Sequence, residues 1–399
     1  MFTATPVITI NQMPASPDGI VHFLFLTQKL IKMKITKQKN LAFSNQRKPM
    51  TSEEILKKVK PVKPRKKLTN VEMDMNILVP TQGNPEFSVI KKKDGSSKLS
   101  VKNFKPGEYV FGPDMKVKKI KMLGNKSKQF KEPLVSKHFL PEHLELTNRP
   151  KPIKMIQQPF IDSLNKGRKK GNQATTIFPP DNRRIFQDTG YPWGCCGRVD
   201  SPLGQGSGVM VGPRHLSTVS HVVQWNDDGT AGWIKFTPGF FNGAEPFGHA
   251  FGSVTYFKDK VDGPTIGWWE SMYDYVCVVL NSPIGNLTGW MGAKGYTDSW
   301  DGGNYWAHVG YPGDLTGGNR PTFQNNISLD GKWYEFDSHE AMDHTADVWP
   351  GQSGGPFFGW WANGPYAVAV QSSQDSSEND ASGGQDMVDL ILQARSDHP

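Results

Sequence analysis

The chain is poor in cysteine, with three in 399 residues (Cys195, Cys196 and Cys277), two of them adjacent. That excludes a disulfide scaffold and allows one intrachain bridge at most, Cys277 with one of the pair. The redox compartment stays open. Long apolar runs are also missing, since nothing approaches the ~18–20 residues that a membrane-spanning helix needs. Residues 20–26 (IVHFLFL) come nearest to a secretory h-region. Asp18 precedes them in place of basic residues and no small-x-small site follows closely, so a signal peptide is weak or absent. No H-E-x-x-H or C-x-x-C occurs, so neither a metal nor a cofactor is expected. No 20–50-residue repeat is present.

Residues 1–170 lack Trp altogether and hold only 7 of the 41 Gly. They carry 35 basic against 13 acidic residues, a formal +22, while residues 171–399 carry 11 against 25, a formal −14. The net +8 therefore averages two unlike pieces, which excludes reading the whole chain as a basic nucleic-acid binder. A nucleic-acid arm is not expected of 1–170 either, because Tyr109 is its only Tyr or Trp platform. Residues 29–70 read as Lys-rich low complexity that cannot bury enough surface to offset its ordering entropy. Strand-like stretches at 86–91 and 108–111 suggest a small folded unit further on. The cluster Lys166-Gly167-Arg168-Lys169-Lys170 suits a processing protease and sets the boundary near 170.

From 185 onward, short β-branched and aromatic runs alternate with Gly, Pro, Asn and Asp, the pattern of an all-β sandwich or barrel. The exception is 386–395, where Met387, Leu390, Ile391 and Ala394 at i, i+3, i+4 and i+7 predict one amphipathic helix. Three constellations carry chemistry. In Trp349-Pro350-Gly351-Gln352-Ser353-Gly354-Gly355-Pro356, the flanking glycines let the backbone approach a substrate, and the amides of Gly351 and Ser353 can face a developing oxyanion. His221 follows a strand-like run. Asp274 opens a wholly apolar one, where a carboxylate needs a donor such as an imidazole N–H. Each has an ordinary structural explanation alone, a Gly-rich turn, a satisfied His or a turn Asp; together they supply nucleophile, base and orienting acid. Gly351-Gln352-Ser353-Gly354-Gly355 also fits the nucleophile elbow of α/β-hydrolases, but that fold runs Ser, acid, His. Here the order is His221, Asp274, Ser353, and strand-like sequence follows the serine.

On these motifs the chain resembles the chymotrypsin-fold (trypsin-like) serine endopeptidases, closest to the glutamyl-endopeptidase branch and its fungal relatives. G-Q-S-G-G-P is one residue from the family's G-D-S-G-G-P, and Ser220-His221-Val222-Val223 sits where the family has its histidine. Tyr273-Asp274-Tyr275-Val276 resembles its aspartate strand. Pro180-Asp181-Asn182-Arg183-Arg184, Gly208-Val209-Met210-Val211-Gly212 and Gly310-Tyr311-Pro312-Gly313-Asp314 add to the likeness, which covers about 180–399. It implies an all-β fold of two antiparallel six-stranded β-barrels with a C-terminal helix; composition places a basic, partly disordered leader or pro-region at 1–170 before it. The barrels are expected at 171–284, with His221 and Asp274, and at 285–399, with Ser353.

The resemblance makes His221 the general base, Asp274 its orienting acid and Ser353 the nucleophile, with Gly351 and Ser353 as the oxyanion hole. Asp347, Val348, Gln371 and Ser372 would bind substrate, and 368–373 would pair with its backbone. The expected partners are protein or peptide substrates and the chain's own pro-region, with no nucleic acid or membrane; the product is a secreted protease made as a zymogen. Charge attraction between the two unlike pieces would dock the leader. Two departures matter. Gln352 replaces the family's Asp, so a new N-terminal amine at Ile185 would lack its charge partner. Val348 and Gln371 do not match the glutamyl pocket, which leaves the cleavage preference open. The alternative is a catalytically inactive protease homologue acting as a binding module.

Overall fold

The computed structural model describes residues 48–65, 86–91, 97–102, 113–120, 134–150, 152–153, 177–263, 266–331, 340–374 and 379–399. Short strands with turn residues between them build two large sheets and one two-stranded sheet. In the first, Cys196–Ser201, Gly204–Gly212, His215–Thr218, Val276–Leu280, Ala250–Phe257 and Lys235–Pro238 pair in that order, each antiparallel to the next, and the last returns to the first. This closes a six-stranded barrel, which leaves no strand edge unpaired among its six members. Val199, Leu216, Phe236 and Val278 share one face and fill its core, while Val209 and Tyr256 are buried on the other face.

The second sheet is more open than the first. Its path runs through Leu329–Gly331, Glu340–His344, Asn379–Gly383, Gly364–Gln374, Pro356–Trp361, Trp306–Gly310, Thr322–Ile327 and Arg184–Ile185. No ladder among the described residues joins its ends, so it curls into a half-barrel. The two segments Thr322–Ile327 and Leu329–Gly331 are nonetheless consecutive in the chain, broken at Ser328 just after Asn326 turns to φ +59°. One bent strand thus serves both ends of the curl. Trp300, Trp306, Trp361, Tyr296 and Tyr366 pack inside it, with ring centroids 5.4–6.1 Å apart.

Sequence order and barrel membership do not coincide. Arg184–Ile185, expected in the first barrel, pairs with Phe323 and Thr322 in the second sheet. The C-terminal helix (Gln385–Asp397) packs against the first barrel, burying Met387, Val388, Leu390, Ile391 and Ala394. Four of these are the residues of the predicted apolar face. Cys195, Cys196 and Cys277 are all buried and free, so the bridge allowed by the sequence is not formed.

Pieces of the basic leader are built into the same structure. The strand Met115–Lys119 runs parallel to Ala250–Phe257 and pairs on its other side with Thr230–Ala231. Met115 is fully buried there, its sulfur accepting from Thr255 Oγ1 at 3.2 Å. Residues 48–65 carry a helix, Ser52–Lys58, begun by a Thr51/Glu54 capping box. Met50 N–H donates to Trp360 O. The low-complexity expectation fails at this point because Met50 and Ile55 need no core of their own; they borrow that of the barrels. Residues 134–150 bridge to Ala293, Trp290 and Tyr191. The strand expected at 86–91 is Glu86–Lys91, paired with Ser97–Lys102. The one expected at 108–111 lies outside the described residues.

Candidate active site

The strand His215–Thr218 ends three residues before His221, which sits in a short 3-10 turn, Ser220–Val222. Asp274 lies two residues before the strand Val276–Leu280 and is fully buried. Burying a carboxylate is costly unless it is hydrogen-bonded, and Asp274 has three donors. His221 N–H reaches Oδ1 at 3.0 Å, and His221 Nδ1 lies 2.7 Å from Oδ2. Ser372 Oγ donates to the same Oδ2 at 2.7 Å. An ionised carboxylate only accepts, so Nδ1 carries the proton of the neutral ring and Nε2 is left as the basic nitrogen.

Ser353 lies in a turn that only glycine-rich sequence can make. Gly351 has φ +101°, and a Cβ there would sit 2.4 Å from Tyr311 O. At Gly354, φ +83°, a Cβ would sit 2.2 Å from Thr218 Oγ1. The turn is tied to the first barrel through Ser207. Ser207 N–H donates to Ser353 O at 2.7 Å, and Ser207 Oγ donates to Gly351 O at 2.8 Å while accepting from Tyr311 N–H at 2.9 Å. Gln352 N–H is used on Trp349 O and Gly354 N–H on Gln371 O. The N–H groups of Gly351 and Ser353 meet no backbone acceptor among the described residues. Gly206 joins the two halves of the site: a Cβ on it would lie 3.1 Å from Ser353 O and 3.0 Å from Val222 Cγ1, beside His221. Among the described residues, no hydrogen bond links Ser353 Oγ to His221.

The other expected site residues fall in unlike places. Asp347 is buried, with Phe178 N–H on Oδ1 at 2.7 Å and Asn182 N–H on Oδ2 at 2.8 Å. Burial raises its pKa, against the two amides. Both of its oxygens therefore fasten the 178–182 segment, and a cationic substrate side chain would have to compete with those amides. Val348 belongs to the aromatic core of the second sheet. Gln371 exchanges backbone bonds with Gly354 and Gly355 and turns its Nε2 to Ser373 O, leaving Oε1 buried without a partner. Ser372 bonds Asp274. Residues 368–373 all fall in the strand Gly364–Gln374. No three His, Cys, Asp or Glu side chains converge as a metal site would need, among the described residues.

Sequence reading missed Arg183 and the use made of Gln352. The Arg183 guanidinium, almost fully buried, pairs with Asp181 and with Asp314 and donates to Gln352 Oε1 at 2.9 Å. Asp181, Arg183 and Asp314 all stood in motifs already singled out. Nothing in a single sequence, however, indicates that residues 131 apart meet.

No family model matches the chain. Over 207 residues it is 29% identical to a glutamyl endopeptidase of Bacillus licheniformis, an alignment covering 50% of this chain and 61% of that protein. The chain thus spans about three-fifths of the length of this curated relative. The branch read from the motifs is the one this relative is named for. Among solved structures it is similar to a Glu endopeptidase in complex with MPD (19% identity, TM-score 0.45, covering 55% of this chain and 100% of that one). It is also similar to the protease Anisep from Arthrobacter nicotinovorans (20%, 0.38, 50% and 92%). A third is the thermostable serine protease AL20 from an extremophilic microorganism (15%, 0.41, 52% and 99%).

Proposed function

We propose that the protein is a serine endopeptidase working through His221, Asp274 and Ser353. The observation that carries this reading is the His221–Asp274 contact at 2.7 Å, which fixes the imidazole tautomer with Nε2 free to act as a base. Ser353 Oγ attacks the scissile carbonyl and gives its proton to Nε2. The unspent N–H groups of Gly351 and Ser353 receive the oxyanion. His221 then protonates the leaving amine, and water, deprotonated by the same nitrogen, hydrolyses the acyl-enzyme. On its Pro356–Trp361 side the ladder of Gly364–Gln374 ends at Val370, and the residues just beyond it pair with the substrate backbone. The relative's name points to cleavage after glutamate; Asp347, with both oxygens occupied, gives no support to cleavage after Lys or Arg.

The same reading makes the protein a secreted zymogen whose N-terminal region is its own partner. Its maturation cut belongs at the 168–170 cluster, which lies outside the described residues. A cut after Arg184 is disfavoured, because Ile185 is buried and its strand is laddered to the second sheet. Among the described residues no helix is long and apolar enough to cross a membrane.

The test is digestion of a mixed peptide library by the full chain and by Ser353→Ala, beside labelling with a fluorophosphonate. Cuts made only by the unsubstituted chain, with the label on Ser353, are expected, and the residue before each cut assigns the pocket. Identical cutting by both forms would sink the reading. The alternative, an inactive homologue used for binding, draws on the missing Ser353–His221 hydrogen bond. Silence in both assays would favour it.

A further inference from the structure

Arg183 is nearly fully enclosed, and every N–H of its guanidinium is spent. Nε donates to Asp181 Oδ1 at 3.1 Å, and Nη2 to Asp181 Oδ2 at 2.7 Å and Asp314 Oδ2 at 2.6 Å. Nη1 donates to Asp314 Oδ1 at 3.1 Å and to Gln352 Oε1 at 2.9 Å. Two carboxylates are held bidentately, which fixes the plane of the fork. The one donor left over is thereby aimed at the side chain of the residue before Ser353.

Gln352 converts that fixed donor into a turn. Its Oε1 also accepts from Trp349 N–H at 3.1 Å, while its own N–H donates to Trp349 O at 3.0 Å. Both groups facing Oε1 are donors, so the amide cannot be flipped without opposing Nε2 to them. Nε2 is left buried and unpartnered, a cost that only a strong requirement for the oxygen offsets. The closed turn contains Gly351 at φ +101°, whose N–H is one of the two unspent amides. Asp314 lies beside Gly313, whose N–H donates to Pro350 O at 2.9 Å. The ion pair therefore grips the turn from the 310–314 side as well.

We infer that Arg183 is a positioning residue for the oxyanion-binding turn, acting through Gln352. A permanently charged side chain of the chain itself, already in place, holds the Gly351 and Ser353 amides in line. This rests on the proposed peptidase reading for its consequence but not for its geometry. It has a corollary: no new N-terminal amine is needed to set the turn.

The test uses the full chain and three variants. Gln352→Met keeps the length and removes the acceptor. Gln352→Glu keeps an acceptor for both donors. Arg183→Lys keeps the charge and loses the fork. Hydrogen exchange is read in peptides covering 349–356, with peptides covering 250–257 and the thermal midpoint as controls for folding. Expected are about 10-fold faster exchange at 349–356 in Gln352→Met and Arg183→Lys, unchanged exchange at 250–257, and near-normal behaviour of Gln352→Glu. On a peptide substrate, kcat should fall by up to about 10²-fold with KM little changed. Unchanged exchange at 349–356 in both Gln352→Met and Arg183→Lys overturns the inference, as does equal loosening across both peptides. If the unsubstituted chain cuts nothing, the peptidase reading fails by itself, and the exchange result still decides the role of Arg183.

Discussion

Asp274 shows how one buried charge organises several neighbours. Two of its donors come from His221 and the third, Ser372 Oγ, comes from the other sheet. Ser372→Ala should lower kcat/KM about 10-fold, since a hydrogen bond to a charged group is worth roughly 1.5–3 kcal/mol. The thermal midpoint should move much less; an unchanged kcat/KM would show that the two His221 donors suffice. Burial also governs the cysteines, pushing all three thiols well above their ordinary pKa. They should resist alkylation in the native protein and react stoichiometrically after unfolding; fast native labelling would contradict their enclosure. Two buried histidines give stability a pH dependence. Burial lowers His215 to about 4 and His308 to about 3. Each is neutral in the fold and takes a proton more readily when unfolded, so the stability each contributes is full above about pH 6.5. It is lost as pH falls toward the folded values, by roughly 3 kcal/mol for His215. Denaturant midpoints measured from pH 7 to 4 should decline, and His215→Leu should flatten the slope.

At the scale of elements, the C-terminal helix was legible because its burial follows a 3.6-residue period visible in the residues themselves. Ile391→Ala should cost about 2–5 kcal/mol, read by urea unfolding. The strand Met115–Lys119 was not legible. Its sequence, MKVKK, is mostly exposed lysine, and only Met115 is fully buried. Such a strand is stabilised by its ladder to Ala250–Phe257 and by one buried side chain, neither of which leaves a local pattern. Met115 fits because position 252 is glycine; a Cβ there would lie 2.2 Å from the Met115 sulfur. Met115→Ala should destabilise the first barrel by about 2–5 kcal/mol. A loss below 1 kcal/mol would reduce the strand to a surface attachment. The motif around Ser353 was legible for a different reason: Gly351 and Gly354 are imposed by close backbone approach, which restricts the choice to one residue type.

For the whole molecule, the charge split invited an electrostatic account of how the leader sits on the rest. The described contacts are of another kind. Ladder and bridge bonds tie Ser136 to Ala293, Phe139 to Trp290, Thr147 to Tyr191 and Ile153 to Ile185. The ion pairs between 113–120 and the barrel side, Lys118–Asp397 and Lys119–Asp259, are largely exposed and of the class worth 0–1 kcal/mol. A chain nicked within 154–176 should therefore elute as one two-chain particle even in molar salt. Separation of the pieces by salt alone would restore the electrostatic account.

The sequence by itself determined the all-β class, the terminal helix and its buried face, and the choice of His221, Asp274 and Ser353 as the proposed catalytic residues. Each of these is written in local spacing or in residues that admit no substitute. Tertiary structure alone decided that the second sheet curls without a closing ladder, and that Asp347 fastens the 178–182 backbone. It also decided that Ser372 serves Asp274, that segments before residue 170 pack onto the two sheets, and that Arg183 meets the side chain of Gln352. All of these depend on which distant groups meet. Pairing across 98 to 169 residues is fixed by barrel register and burial, and no single stretch of sequence carries a record of it.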